Sequence, residues 1–461
     1  MSTAPAIDVA QVVENRRLNL FNYKLIAASW ILTVFDGFDL SIAAFAAPYM
    51  RDDMGLGPNQ LANILSAGLL GTVIGAIVFS SISDRVGRRP VLLGCSFAFG
   101  LLTLAMGFAP SYEWLVAIRF LDGIAIGAVV PIAWALNSEY VPKRLRATVV
   151  TVIMVGYSVG TSGAGPITVF LEPHFGWRGL FIFGGLGSIL AAGLLVATLP
   201  ESIRWLVLRG GRKPRVRTIL GLLGQDTSRI SQAADFVLGD EADISVRKTR
   251  FSDLFAGWLR YATPLIWLAY TAAIIAVYYV NGWGPIILEE LGFDRTTAAM
   301  ATAFGGVMGS VAGLAIMRFT DRFGYVTVLF YPTLLVPILL VLGLVPLSQD
   351  AVLILAMVAL ALIGGMTFAV LSIIAPLYPT PIRASGSGWA NSVGKLGGVL
   401  GPIFGGWMLA SEMPIIRSYA LLALMPAIVI AAMFAIMAAK RRAQNPSGNL
   451  ETIEGALVPA E

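Results

Sequence analysis

Residues 83–89 read Ser-Asp-Arg-Val-Gly-Arg-Arg, and residues 320–324 read Thr-Asp-Arg-Phe-Gly. Asp84 and Asp321 stand 237 positions apart. A second match, Pro142…Arg146-Ala147 with Pro379…Arg383-Ala384, recurs at the same offset of 237. Two separate matches at one offset mark an internal duplication. The chain reads as two six-helix halves in parallel arrangement, joined by a linker.

Working outward from these motifs, each lies beside long apolar stretches. About 20 apolar residues are needed to cross roughly 30 Å of hydrocarbon. Twelve such stretches are expected at 22–49, 59–82, 91–109, 114–138, 147–171, 178–199, 261–288, 296–319, 326–346, 352–376, 385–410 and 417–439. The implied organisation is an N-terminal tail (1–21), a six-helix half (22–199), a central loop (200–260), a second half (261–439) and a C-terminal tail (440–461). Short amphipathic helices are expected in the central loop and a disordered tail at the C-terminus. The first apolar stretch follows a polar segment of mixed charge, so it is expected to remain as a helix rather than be cleaved as a signal.

Composition demands lipid as the solvent. The sequence is 57% hydrophobic and 13% charged, against roughly 25% charged in a typical soluble domain. A single cysteine, Cys95, and a single histidine, His174, exclude an internal disulfide framework and make a His/Cys metal site untenable. Both are expected to be structural, Cys95 as packing and His174 as a solvated residue of a loop at 172–177. With both termini on the cytoplasmic side, 26 of the 32 Lys and Arg residues fall on that side. This agrees with the positive-inside rule and explains the basic excess without nucleic acid. The protein is expected in the cytoplasmic membrane.

Once the charges at helix ends are set aside, five remain inside the apolar stretches: Asp36, Asp39, Arg119, Asp122 and Lys395. Each costs roughly 2.5–3.5 kcal/mol at a helix centre. Asp36 and Asp39 share one helical face at i, i+3, as do Arg119 and Asp122. Asp36 lies about 20 Å into the first span and Lys395 about 15 Å into the eleventh, at 1.5 Å per residue. None of them recurs at the duplication offset: Ala273, Ala356, Ala359 and Ser158 occupy the equivalents of Asp36, Arg119, Asp122 and Lys395. A scaffold repeats, whereas a site for one asymmetric ligand need not. Lys395 suits a substrate carboxylate, and the buried aspartates suit proton uptake and release. An inert Arg119–Asp122 bridge is the structural alternative.

The stretch from Gly71 and Gly75 to Asp84-Arg85-Val86-Gly87-Arg88-Arg89 resembles the signature between the second and third helices of the major facilitator superfamily, with Ser80 where Gly is usual. Arg119-Phe120-Leu121-Asp122-Gly123 is similar to a fourth-helix motif of proton-coupled members, and Glu139-Tyr140-Val141-Pro142 to the motif that follows it. Pro200-Glu201-Ser202 resembles the end of the sixth helix in many members. Asp36-Gly37-Phe38-Asp39 resembles the first-helix motif of the aromatic acid:proton symporter family. Gly394-Lys395-Leu396-Gly397 matches a pattern of that family that usually has Arg; Lys keeps the charge but not the bidentate fork.

The resemblance implies an all-α integral membrane protein of the major facilitator fold. It implies a symporter importing an aromatic carboxylate, of hydroxybenzoate or lignin-derived type, with a proton as coupling ion and no cofactor. Asp36, Asp39, Arg119, Asp122 and Glu139 would serve proton coupling. Asp36, Asp39 and Lys395 would bind substrate, with Trp134, Tyr157, Tyr278, Asn281, Trp283, Trp389 and Asn391 as pocket walls. Asp84, Arg85, Gly87, Arg88, Arg89, Asp321, Arg322 and Arg383 would form the inner gate. One chain would hold the whole pathway and act as a monomer. A symporter for another organic anion, such as a dicarboxylate or sugar acid, and a proton-coupled drug exporter remain open; a membrane enzyme or a sensor is the reading from another class.

Overall fold

The computed structural model describes residues 7–209, 213–226, 235–239, 251–379, 382–411 and 413–444, with the side chains of 317, 318, 320–324, 384, 443 and 444 outside that set. The expected apolar stretches are helical. They form α1 (Leu20–Met54), α2 (Pro58–Val86), α3 (Arg88–Met106), α4 (Tyr112–Glu139), α5 (143–175), α6 (177–198), α7 (Leu259–Glu290), α8 (Arg295–Phe323), α9 (Thr327–Leu344), α10 (Gln349–Leu377), α11 (Arg383–Ala410) and α12 (Leu424–Gln444). A short helix, Arg417–Leu422, leads into α12. Disorder is expected over the tail 440–461, but α12 continues through Gln444; the rest of it, 445–461, lies outside the described set.

One expected boundary is corrected. Residues 172–177 do not form a loop. Helix continues from Lys143 to Thr198, and its direction changes at Gly176 (φ 63°, ψ −177°). Only glycine takes that φ without a Cβ penalty, so a single residue makes the reversal that a loop was expected to make. His174 is exposed there and Cys95 is buried in α3.

The chain forms two compact units. The first comprises Met1–Val246 together with Asn281–Val307 and Gly405–Ala410; the second comprises Arg247–Val280, Met308–Phe404 and Ser411–Glu461. In the first unit a hydrophobic core runs through α1, α3, α4 and α6. It continues into short helices of the termini and linker: Val9–Glu14, Ile203–Leu208 and Lys213–Leu222. The last two lie in the central loop, where short helices are expected, whereas Val9–Glu14 belongs to the N-terminal tail. A two-residue strand β1 (Ile7–Asp8) pairs in parallel with β2 (Phe236–Val237). Glu14 accepts from the backbone N–H of Lys143 at 2.9 Å, so the N-terminal helix caps α5, where Pro142 has no side-chain oxygen to do so.

Candidate functional site

The buried charges of α1 and α4 meet. Arg119 Nη1 donates to Asp39 Oδ2 at 2.7 Å and to Asp122 Oδ2 at 3.1 Å. Arg119 Nη2 donates to the Asp39 carbonyl at 2.9 Å. The Thr103 hydroxyl of α3 lies 2.8 Å from Asp39 Oδ1 and 3.3 Å from Asp122 Oδ1. Arg119 is 3% exposed, and Asp39 and Asp122 are 0% exposed. One guanidinium therefore serves two carboxylates with no water contact. Such a group is stable only when charges and hydrogen bonds balance.

Close helix packing holds this cluster. A Cβ on Gly68 of α2 would stand 2.8 Å from Arg119 Nε, and a Cβ on Gly123 of α4 would collide with the Gly68 carbonyl. The two glycines let α2 and α4 approach backbone to backbone, which brings Arg119 inward. Arg119 Nε, facing Gly68, has no hydrogen-bond acceptor among the described residues. In the first helix, Gly37 lies against the Tyr157 carbonyl of α5. The same turn that carries Asp36 and Asp39 is thus clamped to α5 beside Tyr157. Asp36 is buried, 3% exposed, and Tyr157 is half-buried.

Glu139 does not join the cluster. It ion-pairs with Arg88, and its Oε2 accepts from Ser202 Oγ at 2.6 Å. Glu201 Oε1 accepts from the backbone N–H groups of Arg88 (2.9 Å), Arg89 (3.1 Å) and Ser202 (2.8 Å). This carboxylate caps the start of α3, where unpaired N–H groups and the helix dipole favour an anion. Gly87, at φ 115°, leaves room for it. Arg89 donates to the carbonyls of Leu199 (2.7 Å) and Val196 (3.0 Å) at the end of α6. The Tyr140 hydroxyl donates to the Glu201 carbonyl. Asp84 and Arg85 have exposed side chains. Their backbone carbonyls accept from Trp205 (3.1 Å) and Arg209 (3.0 Å).

In the second unit, glycines of α11 set the register of Lys395. Gly394 packs on the Tyr270 ring of α7, and Gly401 on Tyr278. Asn391 Oδ1 accepts from the Tyr270 hydroxyl at 3.3 Å. Asn391 and Lys395, one turn apart, are both exposed, and Tyr278 is half-buried. Trp389 stacks on Trp267, with ring centroids 6.3 Å apart, and meets Phe251 edge-on at 4.9 Å. Arg383 is exposed and its Nε donates to the Tyr378 carbonyl at 3.4 Å. The side chains of Asp321 and Arg322 lie outside the described set.

The remaining expected wall residues belong to the first unit. Trp134 is half-buried beside Val141, Val149 and Ile153, and its indole N–H has no acceptor among the described residues. Trp283 is wholly buried against Gly405, while Asn281 is exposed. At the end of the bundle where α1 finishes, Arg51 pairs with Glu290 (2.8 Å) and Glu289 (3.3 Å). Arg295 pairs with Glu289 (2.9 Å) and with Asp52. Thr103, Glu201, Ser202 and this outer cluster hold polar contacts that the sequence motifs alone do not assign.

The sequence signature of the Major Facilitator Superfamily matches residues 29–370 and 266–459. The chain is 33% identical over 410 residues to the 4-hydroxybenzoate transporter PcaK of Pseudomonas aeruginosa, covering 87% of this chain and 90% of that protein. It is 31% identical to the gallate transporter of Pseudomonas putida, covering 94% and 95%. Among solved structures, the xylose transporter XylE from E. coli, in a partially occluded inward open conformation, shares the fold at a TM-score of 0.69. That match has 17% identity and covers 90% of this chain and 97% of that one. The duplicated loop motif, the twelve helices and a match along most of its length agree: the chain belongs to the major facilitator superfamily of membrane transporters.

Proposed function

We propose that this protein imports an aromatic carboxylate, of hydroxybenzoate or lignin-derived type, together with a proton. The observation that carries the coupling is Arg119 between Asp39 and Asp122. One cation balances one carboxylate. The second is neutral when it holds a proton and an unmatched anion when it has lost one, so the cluster has two electrostatic states. The Thr103 hydroxyl lies within hydrogen-bond reach of both carboxylates. The aromatic substrate class is supported by relatives that carry 4-hydroxybenzoate and gallate.

Lys395 receives the substrate carboxylate, and Asn391, oriented by the Tyr270 hydroxyl, adds a second polar contact. Asp36, Trp134 and Tyr157 of the first unit and Tyr278 of the second supply polar and aromatic surface, and the Trp134 indole N–H, with no acceptor among the described residues, is a hydrogen-bond donor. Glu139 acts through the Arg88 and Ser202 network rather than by touching the buried cluster. Asp84, Arg85, Arg88, Arg89, Arg322 and Arg383 serve the inner gate. The monomer is the transport unit, set in the cytoplasmic membrane with both termini inside.

The test is uptake of labelled 4-hydroxybenzoate into vesicles containing the purified protein. Concentrative uptake that requires an inward proton gradient is expected. Uptake driven equally by a sodium gradient, or no flux of any aromatic acid, would refute the reading.

A further inference from the structure

We infer that the second unit carries a binding site for an anionic phospholipid, separate from the transport residues. A cavity of about 750 Å³ opens between the start of α7 and the end of α12. Arg260 and Arg442 line it together with Trp258, Tyr261, Ala435 and Ala438. Among the described residues, no carboxylate pairs with either arginine. Arg260 is held over the Tyr261 ring, its Cζ 4.6 Å from the centroid. Lys440 and Arg441 add positive charge at the same end of α12.

The lining matches a lipid in three respects. Two guanidiniums with no carboxylate partner among the described residues suit one phosphate, which accepts their N–H groups in a planar fork. Trp258 and Tyr261 are of the residue types that settle at the depth of lipid headgroups. Ala435 and Ala438, small apolar side chains of the same lining, suit the start of an acyl chain. Leu268 (51% exposed) and Phe434 (58% exposed), further along the same helices, present the apolar surface expected where helices face hydrocarbon. Charge selects the occupant: a basic pocket at a helix end takes an anionic headgroup over a zwitterionic one.

The experiment is mass spectrometry of the intact protein, released from mixed micelles containing phosphatidylglycerol and phosphatidylcholine in equal amounts. Preferential retention of phosphatidylglycerol is expected, falling about five-fold for each of Arg260→Gln and Arg442→Gln, the effect of one basic residue at a membrane surface. Arg441→Gln, outside the cavity, should lower the preference less than either lining variant. Ala438→Trp, which fills the cavity while keeping both charges, should abolish it. If either arginine variant failed to fold, the Ala438→Trp result would decide alone. Equal retention of the two lipids by the parent, or a preference unchanged by Ala438→Trp, would overturn the site. Displacement of the retained lipid by an equal concentration of inorganic phosphate would overturn the lipid assignment in favour of a free anion.

Discussion

Arg119 Nη1 on α4 reaches across to α1 and stands 2.7 Å from Asp39 Oδ2, with both residues sealed from solvent. The same nitrogen is shared with Asp122, one helical turn from Arg119. A single cation thus joins two helices and two acids, and the consequences of removing any one of them differ.

Removing the cation should be the most damaging change. Arg119→Gln leaves two buried carboxylates facing each other and should cost about 3–5 kcal/mol of stability. Adding Asp122→Asn to that variant removes the repulsion and should restore a large part of the loss. Thermal unfolding of the purified single and double variants measures both; additive losses would contradict direct coupling.

A change with no charge at all should reach the same cluster. The Cβ of Gly68→Ala would stand 2.8 Å from Arg119 Nε and must push the guanidinium aside. Overpacking of this kind costs about 1–3 kcal/mol. Proton-driven uptake should fall along with the melting temperature. Normal coupling in a folded Gly68→Ala protein would show that the position of Arg119 is not critical.

Glu201 should matter through the start of α3. Its carboxylate accepts three backbone N–H bonds, so Glu201→Ala should destabilise the first unit by about 1–2 kcal/mol. Glu201→Gln keeps an acceptor oxygen and should lose less. Denaturation midpoints of the two variants give the order.

The outer cluster should be salt-sensitive. Arg51, Asp52 and Arg295 are 26%, 51% and 33% exposed in their side chains, so each pair is worth only about 0.2–1 kcal/mol. Arg295→Gln breaks two of these pairs. Its destabilisation should shrink as ionic strength rises from about 0.01 to 1 M, because screening already weakens the parent. A salt-independent loss would assign Arg295 a packing role, through the Tyr49 ring 4.7 Å from its Cζ.

The reach of the sequence follows from the cost of what it encodes. Asp39, Arg119 and Asp122 stand out because a charge in an apolar helix is expensive and therefore conspicuous. The duplication of the Asp84 and Asp321 motifs was legible for the same reason, as charge between apolar runs. Thr103 was not: a hydroxyl in a helix can bond its own backbone, as Thr103 does to the Phe99 carbonyl, and so costs little and signals nothing. Polar residues around His174 imply a loop, whereas the backbone reverses there with a single positive φ at Gly176. Trp283, an expected pocket wall, is wholly buried because Gly405, distant in sequence, makes space for its ring. Resemblance marks Glu201, but its capping of α3, more than one hundred residues earlier, is visible only in three dimensions.

The most direct test is Asp122→Asn in reconstituted vesicles, comparing 4-hydroxybenzoate counterflow with uptake driven by a proton gradient. Asparagine holds the neutral state of the second acid while Arg119 keeps Asp39 as its partner. If the cluster couples the proton, counterflow should continue and concentrative uptake should be lost. Concentrative, protonophore-sensitive uptake equal to that of the parent would contradict the assignment.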